Sequence, residues 1–154
     1  MNIKLLPYNS KSTVDINAVD AIAIMTANRS QLPYPPGAVK VNGDLWPNGA
    51  TYHGDVTLSW AHRNRTAQIA YGVVPQDAAS AGIGPEGNYT VEVLIAGVVK
   101  QTQAGIAGTS YTYTLAQRTA DDADLTKLVQ FRLTPVNGAL IGTKRTTDSF
   151  VMQA

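Results

Sequence analysis

Residues 89–102 read Tyr89-Thr90-Val91-Glu92-Val93-Leu94-Ile95-Ala96-Gly97-Val98-Val99-Lys100-Gln101-Thr102. Tyr89, Val91, Val93 and Ile95 fall on one side of a period-two pattern, with Thr90 and Glu92 on the other, as a strand with one buried face requires. Ala96-Gly97 separates two β-rich runs by two residues, which predicts a tight antiparallel hairpin.

Working outward, five more runs repeat the pattern between clusters of Gly, Pro and Asn. Ala38 to Val41 is a first strand, closed by Asn42-Gly43. In Val56-Thr57-Leu58-Ser59-Trp60, the second, Val56, Leu58 and Trp60 share a face. After the hairpin, Tyr111, Tyr113 and Leu115 alternate with hydroxyl side chains over Ser110 to Leu115. Leu128 to Pro135 turns Val129, Phe131 and Leu133 inward and ends at Asn137-Gly138, and Asp148 to Met152 forms a last edge strand. About seven short strands separated by turn signals predict an all-β, antiparallel, immunoglobulin-like sandwich.

The region before residue 37 differs. Leu32-Pro33-Tyr34-Pro35-Pro36-Gly37 places three prolines in four positions, fixing φ and removing donors, and reads as a stiff extended joint. It divides residues 1–36, an N-terminal arm with its joint, from a sandwich over 37–154. Within the arm, Asn17 to Ala27 mixes alanines with β-branched residues and is compatible with a short helix or a strand. Its apolar character requires a surface to pack on, either the sandwich or a neighbouring subunit.

The 154 residues suffice for one sandwich core and an extension. Charged residues make up 15%, against roughly 25% in typical soluble domains, leaving the surface to Thr, Asn, Gln, Ser and Gly. Twelve basic and eleven acidic residues give a net charge of +1 with no basic stripe, which argues against nucleic acid as a partner. Without cysteine there is no disulfide framework and no thiolate metal site. The first twelve residues have only a short apolar stretch before Pro7, neither signal peptide nor membrane span, so membrane insertion is not expected.

Val56-Thr57-Leu58-Ser59-Trp60 resembles the second strand of fibronectin type III domains, with Trp60 as the core tryptophan, and Tyr89-Thr90-Val91-Glu92-Val93 resembles their third. Phe131 to Gly138 is similar to their sixth strand and its Asn-Gly turn, and Leu115 stands where the family has a leucine. Val129 replaces the tyrosine usual at the start of that strand, so the corner hydrogen bond of that tyrosine is missing. A narrower resemblance fits better. Pro33 to Gly37 with Val39 to Gly43, Leu58 to Arg65, and Gly108 to Tyr113 resemble the type III-like domain of tail and baseplate proteins from tailed bacteriophages and prophages. That resemblance implies a virion structural role, other tail subunits as partners, a homo-oligomer in a symmetric ring, synthesis in the host cytoplasm, and no catalytic residues.

The residues themselves offer few candidates for chemistry. Arg63 and Arg65 leave the second strand for a long connection, about 61–88, at one end of the sandwich, where binding residues are commonly placed. They either contact acidic groups of a partner or glycan, or cap carbonyls and pair locally. His53 and His62 are the only histidines; Asp55 is two residues from His53, but a metal needs three or four converging ligands, and no metal or cofactor is expected. Asp121-Asp122-Ala123-Asp124 is similar to a fragment of a calcium loop without its terminal glutamate, and reads as an acidic turn in which Asp121 or Asp122 caps a short helical turn.

No GxSxG occurs, Glu86 and Glu92 make a thin case for glycoside hydrolysis, and Pro85 spoils Gly82 to Gly87 as a phosphate loop. The chain is expected not to be an enzyme. Tyr34, Trp46, Tyr52, Tyr71, Tyr111 and Tyr113 raise carbohydrate stacking instead. Trp46, in Asp44-Leu45-Trp46-Pro47-Asn48-Gly49, either is exposed or folds back over the sandwich edge. The expected function is thus a structural tail component making protein–protein contacts, with a glycan-binding or host-attachment module on the virion as the alternative. The interface residues expected are Trp46, Arg63, Arg65 and Tyr34.

Overall fold

In the computed structural model of the chain, residues 2–4, 15–20, 22–23, 31–67, 74–80 and 84–154 are described. The chain divides into two compact units, Met1–Gln31 and Leu32–Ala154, which leaves the proline joint with the second.

In the first unit, β1 (Asn2–Ile3) pairs antiparallel with β2 (Ile22–Ala23). A 3-10 turn at Ile16–Ala18 lies between them in sequence, and the Asp15 carboxylate caps it by accepting from the Asn17 amide at 2.8 Å. Lys4 Nζ donates to the Ile16 carbonyl at 2.8 Å. The segment 17–27 therefore is a 3-10 turn followed by a strand over its described part, with Ala21 and Ile24 to Ala27 outside the described residues.

The second unit is an all-β sandwich. One sheet holds β3 (Gly37–Val41), β5 (Val56–Ala61) and β8 (Ser110–Tyr113) in the order β3-β5-β8. The other runs β10-β9-β6-β7, from β6 (Asn88–Ile95), β7 (Val98–Ile106), β9 (Val129–Asn137) and β10 (Leu140–Ile141), with β11 (Arg145–Thr146) also on β9. Alternation decides which side chains meet between the sheets. Val56, Leu58 and Trp60 of β5 face Tyr89, Val91, Val93 and Ile95 of β6 and Val129, Phe131 and Leu133 of β9 in one core with Val41, Tyr113, Phe150 and Met152. Phe131 sits at its centre, tilted against Phe150 and edge-on to Tyr111 and Tyr113. The β6–β7 turn has Ala96 at φ 48° and Gly97 at φ 79°, the paired left-handed conformation that matches strand twist.

Three boundaries differ from expectation. The fifth run does not continue to Leu115: β8 ends at Tyr113, and α1 (Leu115–Asp121) follows. Thr114 and Gln117 form a reciprocal capping box, and Ala116, Gln117 and Arg118 are good helix formers, so local propensity overrides the alternation. The acidic turn is corrected with it. Thr114 caps the helix start, Asp122 closes its end, and the Asp121 carboxylate accepts the Tyr113 hydroxyl at 2.6 Å.

The last run is corrected too. Phe150 bridges Val129, where the corner tyrosine is missing, and β12 (Val151–Gln153) lies parallel to β4 (Thr51–His53), a strand the sequence reading did not assign. The sixth run starts at Val129, leaving Leu128 exposed outside the ladder.

Candidate functional site

The four expected interface residues do not converge. Tyr34 is 45% exposed in the joint, between the buried Pro33 and Pro36. Arg63 is corrected outright: it is 4% exposed and cannot meet a partner. Its guanidinium donates to the carbonyls of His62 (2.9 Å), Pro75 (2.9 Å), Ala78 (2.7 Å) and Ala79 (3.4 Å). Carbonyl dipoles around the delocalised cation offset much of the cost of taking it out of water, which is how a lone arginine is buried without a carboxylate. Arg65 pairs with Glu86 at 2.7 Å, and its own amide donates to the other carboxylate oxygen at 3.1 Å. The arginines of this connection hold it together instead of reaching out.

Trp46 remains, and it is 76% exposed. It does not fold back over the core. Burying a ring of this size contributes roughly 3 kcal/mol, most of which the fold forgoes here. The exposure is imposed by the backbone. Pro47 beside it is buried, the Pro47 carbonyl accepts from the Ala50 amide at 2.6 Å, and the Gly49 amide reaches the Ser149 carbonyl at 2.8 Å. On the other side, Asp44 exchanges two backbone hydrogen bonds with Val41, both at 2.9 Å.

The indole borders a cleft of about 290 Å³, whose other walls include Ala38, Leu45, Asp77, Arg145 and Asp148. Four separate stretches meet there: the start of β3, the turn carrying Trp46, the loop at 76–77, and the segment from β11 to Asp148. Arg63 fixes the third of these through the Pro75, Ala78 and Ala79 carbonyls. Gln76 adds two anchors at 2.6 Å: its side-chain amide donates to the Pro36 carbonyl, and its own carbonyl accepts from the Ala38 amide. At that point β3 shifts register against β5, and Ala38 takes φ 45°, a left-handed conformation costing roughly 1 kcal/mol for a residue with a β-carbon. Bulges of this kind concentrate at sheet edges and next to binding sites.

Glu92 and Arg132, opposite one another on β6 and β9, form a two-point ion pair at 2.6 and 2.8 Å that holds the Glu92 carboxyl below its ordinary value. Glu86, Asp122, Asp44 and Asp55 are likewise engaged, by Arg65, Lys127, Tyr52 and the Leu115 amide. Among the described residues, by contrast, the side chains of Asp77, Arg145 and Asp148 make no hydrogen bond or ion pair, and all three residues line the cleft beside Trp46.

The other candidates of the sequence reading are committed elsewhere. His53 Nδ1 donates to the Ala154 carbonyl at 2.8 Å, while His62 stacks on Tyr89 and hydrogen-bonds its hydroxyl at 3.1 Å, burial lowering the imidazole pKa. No three His, Asp or Glu side chains converge as metal ligands among the described residues. Tyr52, Tyr111 and Tyr113 pack on the core, and Tyr71 lies outside the described residues. Asp77, Arg145 and Asp148 were not singled out from sequence, because nothing in their local pattern separates them from other surface charges. Compared with protein-family models and with curated proteins, the chain matches none.

Proposed function

We propose that this chain is a non-catalytic structural component of a bacteriophage tail, a type III-like module that makes protein–protein contacts during virion assembly. The observation that carries the reading is the division of the chain at an anchored joint. The first unit stops at Gln31, and the proline segment that follows is held by the sandwich: Pro33 and Pro36 are buried, and Gly142 packs so closely on the Pro33 carbonyl that no side chain would fit between them. A separate N-terminal unit ahead of a joint held by the sandwich suits a subunit that reaches a neighbour in a closed ring. The resemblance of residues 33–37, 39–43, 58–65 and 108–113 to tail domains is what supports the virion setting.

Light scattering of the purified chain, with and without residues 1–31, tests this. The expected result is a discrete oligomer that falls to monomer when those residues are removed. A full-length chain that stays monomeric at tens of micromolar, with its N-terminal residues readily removed by protease, would refute the ring.

A further inference from the structure

We infer that the cleft beside Trp46 is a carbohydrate-binding site, with the indole as stacking platform and Asp77, Arg145 and Asp148 as its hydrogen-bonding rim. This inference is independent of the tail assignment and rests on the cleft alone.

Three features of the cleft select this class of ligand. A sugar ring presents an apolar face of C–H groups and a rim of hydroxyls that both donate and accept. The face matches an aromatic ring held open to solvent by its backbone, and the rim matches carboxylates that accept and a guanidinium that donates. The charges are of both signs, which suits neutral hydroxyls better than a polyanion. The volume lies at the small end of ligand pockets, roughly 300–1,000 Å³, a fit for one or two sugar rings.

An extended peptide is a poorer match. Strand addition needs a free backbone edge, and at the cleft the Ala38 amide of β3 already donates to the Gln76 carbonyl. The arrangement is also preorganised. Arg63 fixes the loop bearing Asp77 from behind, and hydrogen bonds on both sides fix the turn bearing Trp46, so little ordering accompanies binding.

The chain has two tryptophans, Trp46 at 76% exposure and Trp60 at 5%, so iodide quenching of fluorescence reports on the cleft. The full-length chain is applied to an array of bacterial O-antigen, capsular and cell-wall oligosaccharides together with mammalian glycans. Each retained sugar is then titrated in iodide. The expected result is retention of at least one glycan class that protects Trp46 from iodide, with binding reduced at least ten-fold in Trp46→Ala and several-fold in Asp148→Asn. The inference is overturned if the array retains nothing, or if Trp46→Ala binds as well as the parent. It is equally overturned if protection appears with rising protein concentration and no sugar, which makes the cleft a contact between subunits. Because Trp46 is exposed, its variant keeps the fold, and circular dichroism checks that it does.

Discussion

The guanidinium of Arg63 occupies the space that a β-carbon on Gly37 would need. Glycine at 37 and arginine at 63 are therefore one structural decision: the first residue of β3 must lack a side chain so that the cation can reach the loop carbonyls. Gly37→Ala is expected to cost about 2 kcal/mol, and Arg63→Ala about 2 kcal/mol by releasing the loop carbonyls that the guanidinium holds. Because each breaks the same contact, the double variant should lose less than the sum, which urea denaturation of all four proteins would measure.

Trp46 and Trp60 should separate cleanly by accessibility. Trp46→Phe is expected to remove nearly all iodide-quenchable fluorescence and change stability by no more than about 0.5 kcal/mol, as for a surface substitution. Trp60→Phe should leave the quenchable component and cost about 1–3 kcal/mol, since Trp60 packs edge-on to Tyr89 in the core. Stern–Volmer plots and thermal melts distinguish these.

Glu92 and Arg132 give an acid-side prediction. The Glu92 pKa is lowered in the folded state, first by its hydrogen bonds to Arg132, so its stabilisation is fully present above the unfolded value of 4.5 and is lost as pH falls through the folded pKa. Both side chains are 23% exposed, which limits the pair to about 1 kcal/mol. Glu92→Gln should be destabilised by that amount at pH 7 and should converge on the parent as pH drops below 4.5, as followed by melting temperature.

Tyr52 gives the opposite sign at the alkaline side. Burial and the bond to Asp44 push its hydroxyl up to about 12, so the stabilisation is complete below the unfolded value of 10 and is lost as pH rises toward 12. Tyr113, held up by burial and by Asp121, acts the same way. Absorbance at the phenolate band should therefore show tyrosines that ionise only together with unfolding, and Tyr52→Phe should lessen the alkaline loss of stability.

Ala96, at φ 48° in the β6–β7 turn, holds a conformation that asparagine or glycine adopts more readily. Ala96→Asn is expected to stabilise the hairpin by about 0.5–1 kcal/mol, seen as a higher denaturation midpoint at unchanged slope.

The sandwich was legible because alternation is a backbone property. Val56, Leu58, Trp60, Tyr89, Val91 and Phe131 announce their buried face by spacing alone, and all of them lie in the core. Thr114 and Leu115 misled for a local reason: hydroxyl and apolar residues alternate from Ser110 up to a capping box, and the box carries only a two-turn helix. Thr51 to His53 was missed because three residues form a strand only when a partner from 100 positions away lies beside them. The site was less legible still. Trp46 was named, but whether it opened to solvent depended on Ser149, and the rim assembled from 77, 145 and 148 is a product of topology. Arg63 and Arg65 show the converse, since an arginine in a loop has the same signature whether it faces a partner or a ring of carbonyls.

The parallel pairing of β12 with β4 has a consequence during synthesis. Phe150 and Met152 are fully buried among residues that a ribosome delivers far earlier, and among the described residues β4 pairs only with Val151 to Gln153. A nascent chain stalled before residue 150 would expose an open sheet face and be visible to chaperones and proteases as unfinished. Synthesis of β12 is thus the step that closes this core, and copies lacking it should be degraded more readily than copies that carry it.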